Sequence, residues 1–252
     1  MKIIFHPDYK KFDKQISHFV LHYSHYGKNF DDRQRNQIKL FDFEGKTINV
    51  KSFKKPNFIN KIIYRYFRKS KAMRSYEYAN LLLEKGIGTP QPIAYFENYD
   101  FFGLKDSYYV SEHLHCDLTF RELVENVNYP DFDKILRQFT HFSYDLHQKG
   151  IEFKDHSPGN TLIKKNEKGD YNFYLVDLTR MAFHGSMSFE KRMKNLSRLT
   201  PHQDMIAVMS NEYAQLSGES ETKVFNYLWA RTAKFQYRFF MKKVLKSKFK
   251  KS

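Results

Sequence analysis

Phe153-Lys154-Asp155-His156-Ser157-Pro158-Gly159-Asn160-Thr161-Leu162-Ile163, followed shortly by Phe173-Tyr174-Leu175-Val176-Asp177, is the stretch that decides the reading. Asp155 and Asn160 stand five positions apart, the D-x-x-x-x-N spacing of a phosphotransferase catalytic loop. The chemistry needs one carboxylate facing an acceptor hydroxyl. It also needs a carboxamide oxygen and a second carboxylate facing a divalent cation on nucleotide phosphates. Thr161 to Ile163 is expected to be a short strand, Asn166 to Asp170 a turn, and Tyr171 to Val176 the returning strand. Such a hairpin gathers Asn160 and Asp177 at one end, where both reach one metal.

Working outward, Lys51 sits in the apolar strand Val50-Lys51-Ser52-Phe53. A lysine there is expected to bind the α/β-phosphates of a nucleotide and to be held by a helix glutamate. Glu77, 26 positions on, is the first choice for that partner, and Glu84 the second. Asp155 is read as the general base, and Asn160 and Asp177 as ligands of Mg²⁺. Lys154 either stabilises the transferring phosphoryl group or faces solvent. His147 is read as ordering the loop backbone, with metal binding as the alternative. No G-x-G-x-x-G precedes Lys51. Arg33 and Arg35 are the candidates to take over phosphate binding, the other reading being a charged surface turn. Asp177-Leu178-Thr179 stands where signalling kinases carry D-F-G.

The pattern along the chain predicts a helix over 8–24, then a hairpin of Ile38–Phe43 and Thr47–Phe53 turning at Gly45. A connection is expected over 56–63, and a helix over 69–85 that Gly86 ends. Pro90 and Pro92 forbid further helix there. Strands follow at 93–97 and 107–112. Beyond Leu114 the periodicity is helical, at 131–149, 188–197, 201–215 and 221–246. A strand-rich first half and a helix-rich second half predict an α+β, bilobal fold. Residues 1–112 would form a small β-rich N-lobe for nucleotide binding. Residues 113–252 would form a helical C-lobe with the catalytic loop and metal site, and ATP and Mg²⁺ would lie in the cleft.

Composition limits the alternatives. The chain has 252 residues, 41% of them apolar, enough to build a core. No apolar run approaches the roughly 18 residues of a membrane span. One cysteine, Cys116, excludes an internal disulfide and favours a reducing cytoplasm. No H-E-x-x-H, G-x-S-x-G or Rossmann glycine pattern occurs, nor an RNA- or DNA-binding motif. The net charge of +15 attracts polyanions or an anionic membrane surface. Residues 51–74 carry nine Lys/Arg and no acid, and so does the segment from Arg231 to the end. In the last helix, Phe225, Leu228, Trp229, Phe235 and Phe239 share helical spacing and predict one face packed on the second lobe. Arg231, Lys234, Arg238, Lys242, Lys243, Lys246, Lys248, Lys250 and Lys251 load the rest. The segment is either a peripheral membrane contact or a core-packed helix with a solvated tail.

Several stretches together resemble the bacterial lipopolysaccharide kinase family, protein-kinase-like enzymes acting on Kdo or heptose of the inner core. They are Ile48–Phe53, Ser70–Ala79, Gly86–Ala94 with its Thr-Pro-Gln-Pro, Leu146–Ile151, the Asp155 loop, Leu175–Leu178 and Lys191–Leu199. The resemblance runs from about residue 30 to 200. It implies a lipid-linked core oligosaccharide acceptor, ATP and Mg²⁺ as cofactors, and a cytoplasmic location, peripheral on the inner membrane. It puts the nucleotide lysine at Lys51, the base at Asp155 and the metal ligands at Asn160 and Asp177. Phe153 stands where the family's loop carries histidine. Two other readings remain open on the residues alone. One is a soluble small-molecule kinase of the aminoglycoside or choline type. The other is a non-catalytic basic scaffold or RNA-binding protein.

Overall fold

Alternating apolar residues lay down the first sheet. The computed structural model describes residues 1–31 and 36–249. By internal packing these form two compact units. The first is Met1–His115 with Asp177–Thr179, the second Cys116–Val176 with Arg180 onward.

In the first unit, strands β1 (Lys2–Phe5), β2 (Lys28–Asn29), β3 (Ile38–Phe43), β4 (Lys46–Ser52), β5 (Pro92–Asp100) and β6 (Gly103–Glu112) make one sheet in the order β1-β5-β6-β4-β3-β2. All neighbours are antiparallel. The expected hairpin turns on Glu44 and Gly45, both at positive φ (48° and 73°), the geometry of a two-residue turn matched to strand twist. A short 3₁₀ turn, Pro7–Phe12, leads into α1 (Asp13–Leu21). Ile16 and Val20 of α1 pack with Phe41, Ile48, Val50 and Phe96 of the sheet. The N-terminal strand and the length of β5 and β6 exceed the sequence expectation. Residues Phe58–Tyr66 form a helix, α2, where a connection was expected. The Asn57 side chain caps it by accepting from the Asn60 N–H at 3.0 Å, and its inner face rests on β6. Next comes α3 (Lys71–Glu84), capped by Ser70, whose Oγ accepts from the Met73 N–H.

In the second unit, β7 (Leu118–Thr119), α4 (Phe120–Glu125) and α5 (Phe132–Gln148) precede β8 (Ile151–Phe153). The predicted hairpin is β9 (Thr161–Lys165) and β10 (Tyr171–Leu175), with Tyr171 opposite Lys165 and Leu175 opposite Thr161. A further strand, β11 (Met181–Phe183), pairs with β8. Then come α6 (Phe189–Leu196), α7 (Gln203–Ser217) and α8 (Glu221–Phe249). Phe120, Phe139, Phe173, Met193, Met209 and Tyr213 lie in one buried core. Gly150 ends α5 at φ 68°, and a Cβ there would sit 1.9 Å from the His184 carbonyl oxygen. Only glycine lets the chain turn this tightly from α5 into β8. Among the described residues no helix is long and apolar enough to cross a membrane.

Candidate active site

The Asp155 loop is a tight connection between β8 and β9. Its Ser157-Pro158-Gly159-Asn160 portion makes a single 3₁₀ turn with Pro158 at the start, where a missing N–H costs nothing. The Asn160 Nδ2 donates to the Asp155 carbonyl oxygen at 2.9 Å. This fixes the five-residue span and leaves the Asn160 carbonyl oxygen as the lone-pair end of the amide. The Val176 N–H donates to the Asn160 backbone oxygen at 3.0 Å. The predicted hairpin therefore brings Val176 back to the loop, one residue before Asp177.

The Asp155 carboxylate is partly exposed. Its Oδ1 accepts from Arg180 Nη1 at 2.9 Å and lies 3.7 Å from Arg198 Nη1. Its Oδ2 has no hydrogen-bond partner among the described residues. A carboxylate oriented through one oxygen and open at the other suits acceptance of a proton from a hydroxyl. Arg180 and Arg198 were not among the sequence candidates. Both lie in stretches that carried the resemblance or adjoin them, but neither has a spacing signature of its own. The Lys154 side chain is exposed, and its backbone carbonyl accepts from Arg198.

Beneath the loop runs a buried polar brace. His147 Nδ1 meets the Tyr213 hydroxyl at 3.0 Å, and Nε2 meets Asn195 Oδ1 at 3.1 Å. Asn195 Nδ2 donates to the Phe153 carbonyl oxygen at 2.8 Å. Desolvation lowers the His147 pKa to about 3, so the ring is neutral and needs one donor and one acceptor partner. His147 thus acts on the loop as expected, through Asn195, and Phe153 contributes its backbone rather than a side-chain bond. His156 is also fully buried, packed on Phe139 and Phe153, with its pKa lowered to about 4 by desolvation.

The first unit holds the other candidates. Lys51 is only 15% exposed, and its Nζ pairs with Asp177 Oδ1 at 2.9 Å. Asp177 has φ 60°, left-handed backbone that a side chain bearing a Cβ adopts at a cost of about 1–2 kcal/mol. Strain of this kind concentrates at functional positions. Arg74 of α3 is buried and donates to the Thr179 carbonyl at 2.6 Å, which anchors the 177–179 segment on this unit. The expected Lys51–Glu77 pair is not formed. Glu77 instead takes the Lys69 ammonium on both oxygens, at 2.7 and 2.9 Å. Lys69 stands just before the α3 cap and reaches along the helix surface, so Glu77 is satisfied locally while Lys51 engages Asp177. Arg33 and Arg35 lie outside the described residues.

The donors in each unit are of the kind a magnesium nucleotide takes. In the first unit Lys51 has an ammonium and Asp177 a carboxylate. In the second, Asn160 has a carboxamide oxygen. Mg²⁺ is commonly held by one or two carboxylates, with phosphate oxygens and waters completing the octahedron. Among the described residues no group of three or more His, Cys, Asp or Glu could form an all-protein metal cage.

The strand-rich first unit and helical second unit define a protein-kinase-like α+β fold. The structure of WaaP in complex with acyl carrier protein aligns over 94% of this chain and 98% of that chain, with TM-score 0.64 and 14% identity. The MAP kinase LmaMPK10 from Leishmania major aligns over 85% of this chain and 64% of that chain, with TM-score 0.49 and 15% identity. No family model and no curated protein sequence matches the chain.

Proposed function

We propose that this chain is an ATP-dependent kinase that phosphorylates a sugar hydroxyl, of Kdo or heptose, in the lipopolysaccharide inner core. The observation that carries phosphoryl transfer is the Asp155–Asn160 loop, closed by its own amide, together with a strained Asp177 held by Lys51. Bound Mg²⁺ supplies charge neutralisation at the phosphate oxygens. Asn160 and Asp177 would hold it, and Lys51 would bind the α/β-phosphates after exchanging Asp177 for them. Asp155 Oδ2 orients the acceptor hydroxyl and takes its proton, while Arg180 keeps the carboxylate aligned through Oδ1.

The acceptor class rests on the sequence resemblance and the fold likeness to WaaP, and on the end of α8. From Tyr237 to Ser247 every residue of α8 is exposed. Tyr237, Phe240, Met241, Val244 and Leu245 form an apolar stripe at helical spacing, between Arg238, Lys242, Lys243 and Lys246. Phe225, Leu228 and Trp229 pack on the core as predicted, but Phe239 is 54% exposed and Phe235 lies under the Arg198 guanidinium. A basic amphipathic end suits peripheral contact with an anionic membrane, here the cytoplasmic face of the inner membrane. Mass spectrometry of core lipopolysaccharide from a deletion strain should show one phosphate fewer. An unchanged core would remove the acceptor assignment and leave phosphoryl transfer to be judged separately.

A further inference from the structure

A second basic feature lies in the first unit, outside the catalytic candidates. A cavity of about 250 Å³ opens between the end of β4, α2 and β6. Lys54, Lys55 and Lys71 line it, with Asn57, Asn60, Tyr64 and Ser107 as neutral polar groups and no acid. Lys54 and Lys55 form no ion pair among the described residues. Two helix starts face it as well. Asn57 and Asn60 belong to the first turn of α2, and Lys71 is the first residue of α3. Helix N-termini add partial positive charge to that of the ammonium groups. The nearby Asp100 does not offset this, because Lys61 takes its carboxylate and the Phe102 and Gly103 N–H groups donate to it.

Next to the cavity, where α2 meets the β5–β6 turn, an aromatic cluster is open to solvent. Phe58, Phe101 and Phe102 are 57%, 90% and 52% exposed. Phe58 and Phe102 meet edge to face at 5.4 Å, as do Phe101 and Phe102. The β5–β6 turn that presents Phe101 and Phe102 is fixed to α2, which carries Phe58. Arg65 donates to the Phe101 carbonyl, and a Cβ on Gly103 would strike the Lys61 carbonyl oxygen at 2.4 Å. Two exposed phenylalanines on a fixed turn and a third at the start of α2 suit contact with an apolar surface rather than a wholly soluble ligand.

We propose that this pocket binds the phosphate head group of an anionic lipid, with the neighbouring Phe58, Phe101 and Phe102 seated at the bilayer interface. The lysines provide charge complementarity, and the cavity admits a head group of phosphomonoester size. The rings enter the zone where aromatic side chains settle. This site is separate from α8, and the proposal does not depend on the kinase reading.

The test uses the full chain with Lys242, Lys243 and Lys246 changed to Gln, so that α8 does not mask the result. Co-sedimentation is measured with phosphatidylcholine vesicles, with and without phosphatidic acid, and calorimetry with glycerol 3-phosphate. Binding is expected only to the phosphatidic-acid vesicles. Lys54→Ala/Lys55→Ala/Lys71→Ala should weaken it roughly a hundredfold, given the attraction of each lysine to an anionic surface. Phe58→Ser/Phe101→Ser/Phe102→Ser should weaken vesicle binding at least tenfold while leaving any glycerol 3-phosphate signal intact. Lys54→Glu alone, at an exposed position, gives the same direction if the triple variant does not fold. Equal binding to neutral vesicles, or full binding by the lysine variants, overturns the site. Vesicle binding untouched by the phenylalanine changes, with tight glycerol 3-phosphate binding, overturns the lipid assignment in favour of a soluble phosphate.

Discussion

The Asp155 loop and the Lys51 cluster carry the two halves of the candidate chemistry, and they are built in opposite ways. The loop rests on a buried neutral network in which His147, Asn195, Tyr213 and the Phe153 carbonyl satisfy one another. None of these groups can change partner without leaving a buried polar atom unpaired, which costs about 1–3 kcal/mol each. The Lys51–Asp177 and Lys69–Glu77 ion pairs each have a partly exposed member. Asp177 is 42% exposed and Lys69 56% exposed, so exchange of partners is cheap there. The difference teaches where rigidity is needed. On the proposed reading, Asp155 would need a fixed geometry, whereas Lys51 and Asp177 would need to re-pair as phosphates and a cation bind.

The largest effect that would break this contrast is at Asp177. Asp177→Ala and Asp177→Asn should each lower kcat for ATP-dependent transfer by at least about 10³-fold, because the developing phosphoryl charge loses its cation. Their stabilities should differ. Asparagine tolerates left-handed backbone and should melt like the wild type, while alanine should be less stable by up to about 1 kcal/mol. Equal stability of the two variants would mean the φ of 60° stores no strain.

Next in size is Asn195→Ala. It strips partners from both His147 and the Phe153 carbonyl, so urea denaturation should show a loss of about 2–4 kcal/mol. Turnover should fall as well, although residue 195 does not itself touch the base. A stable variant of normal activity would show that the loop needs no brace.

The same network sets an acid limit. His147 and His156 stay neutral in the fold, with pKa values lowered to about 3 and about 4, whereas in the unfolded chain they protonate near pH 6.5. The unfolded state thus binds more protons in this interval. Stability is fully present above about pH 6.5 and drains as pH falls toward 4, by up to about 1.4 kcal/mol per pH unit for each histidine. Chemical denaturation between pH 7.5 and 4.5 should show this slope, and His156→Phe should flatten it. The smallest effect belongs to the exposed pair. Lys69→Ala should change stability by less than about 1 kcal/mol, and this should shrink further in high salt.

The loop half was legible in the sequence because its spacing is local. D-x-x-x-x-N, the alternation of β9 and β10 and the terminating Gly150 each act within a few residues. Lys51 was legible as a lysine inside a predicted strand that also carries Ile48, Val50 and Phe53. What could not be read was choice of partner. Glu77 and Asp177 both suit an ammonium, and the neighbouring Lys69 decides between them through the reach of one side chain across a helix surface. Arg74, Arg180 and Arg198 act by bonds to carbonyls and a carboxylate distant in sequence, a role without a spacing. Helix α2 was hidden because Phe58–Tyr66 is rich in aromatic and β-branched residues, which favour strands. Its Asn57 cap and its packing on β6 override that preference.

The most direct measurement is transfer of radiolabel from [γ-³²P]ATP to purified inner-core lipopolysaccharide by the full chain with Mg²⁺, beside Asp155→Ala. The wild type should label the core oligosaccharide, and the variant should be slower by about 10²–10⁴-fold with ATP still bound. Equal labelling by both proteins, or none by the wild type with any sugar hydroxyl acceptor, would contradict the assignment of Asp155 as the base of a sugar kinase.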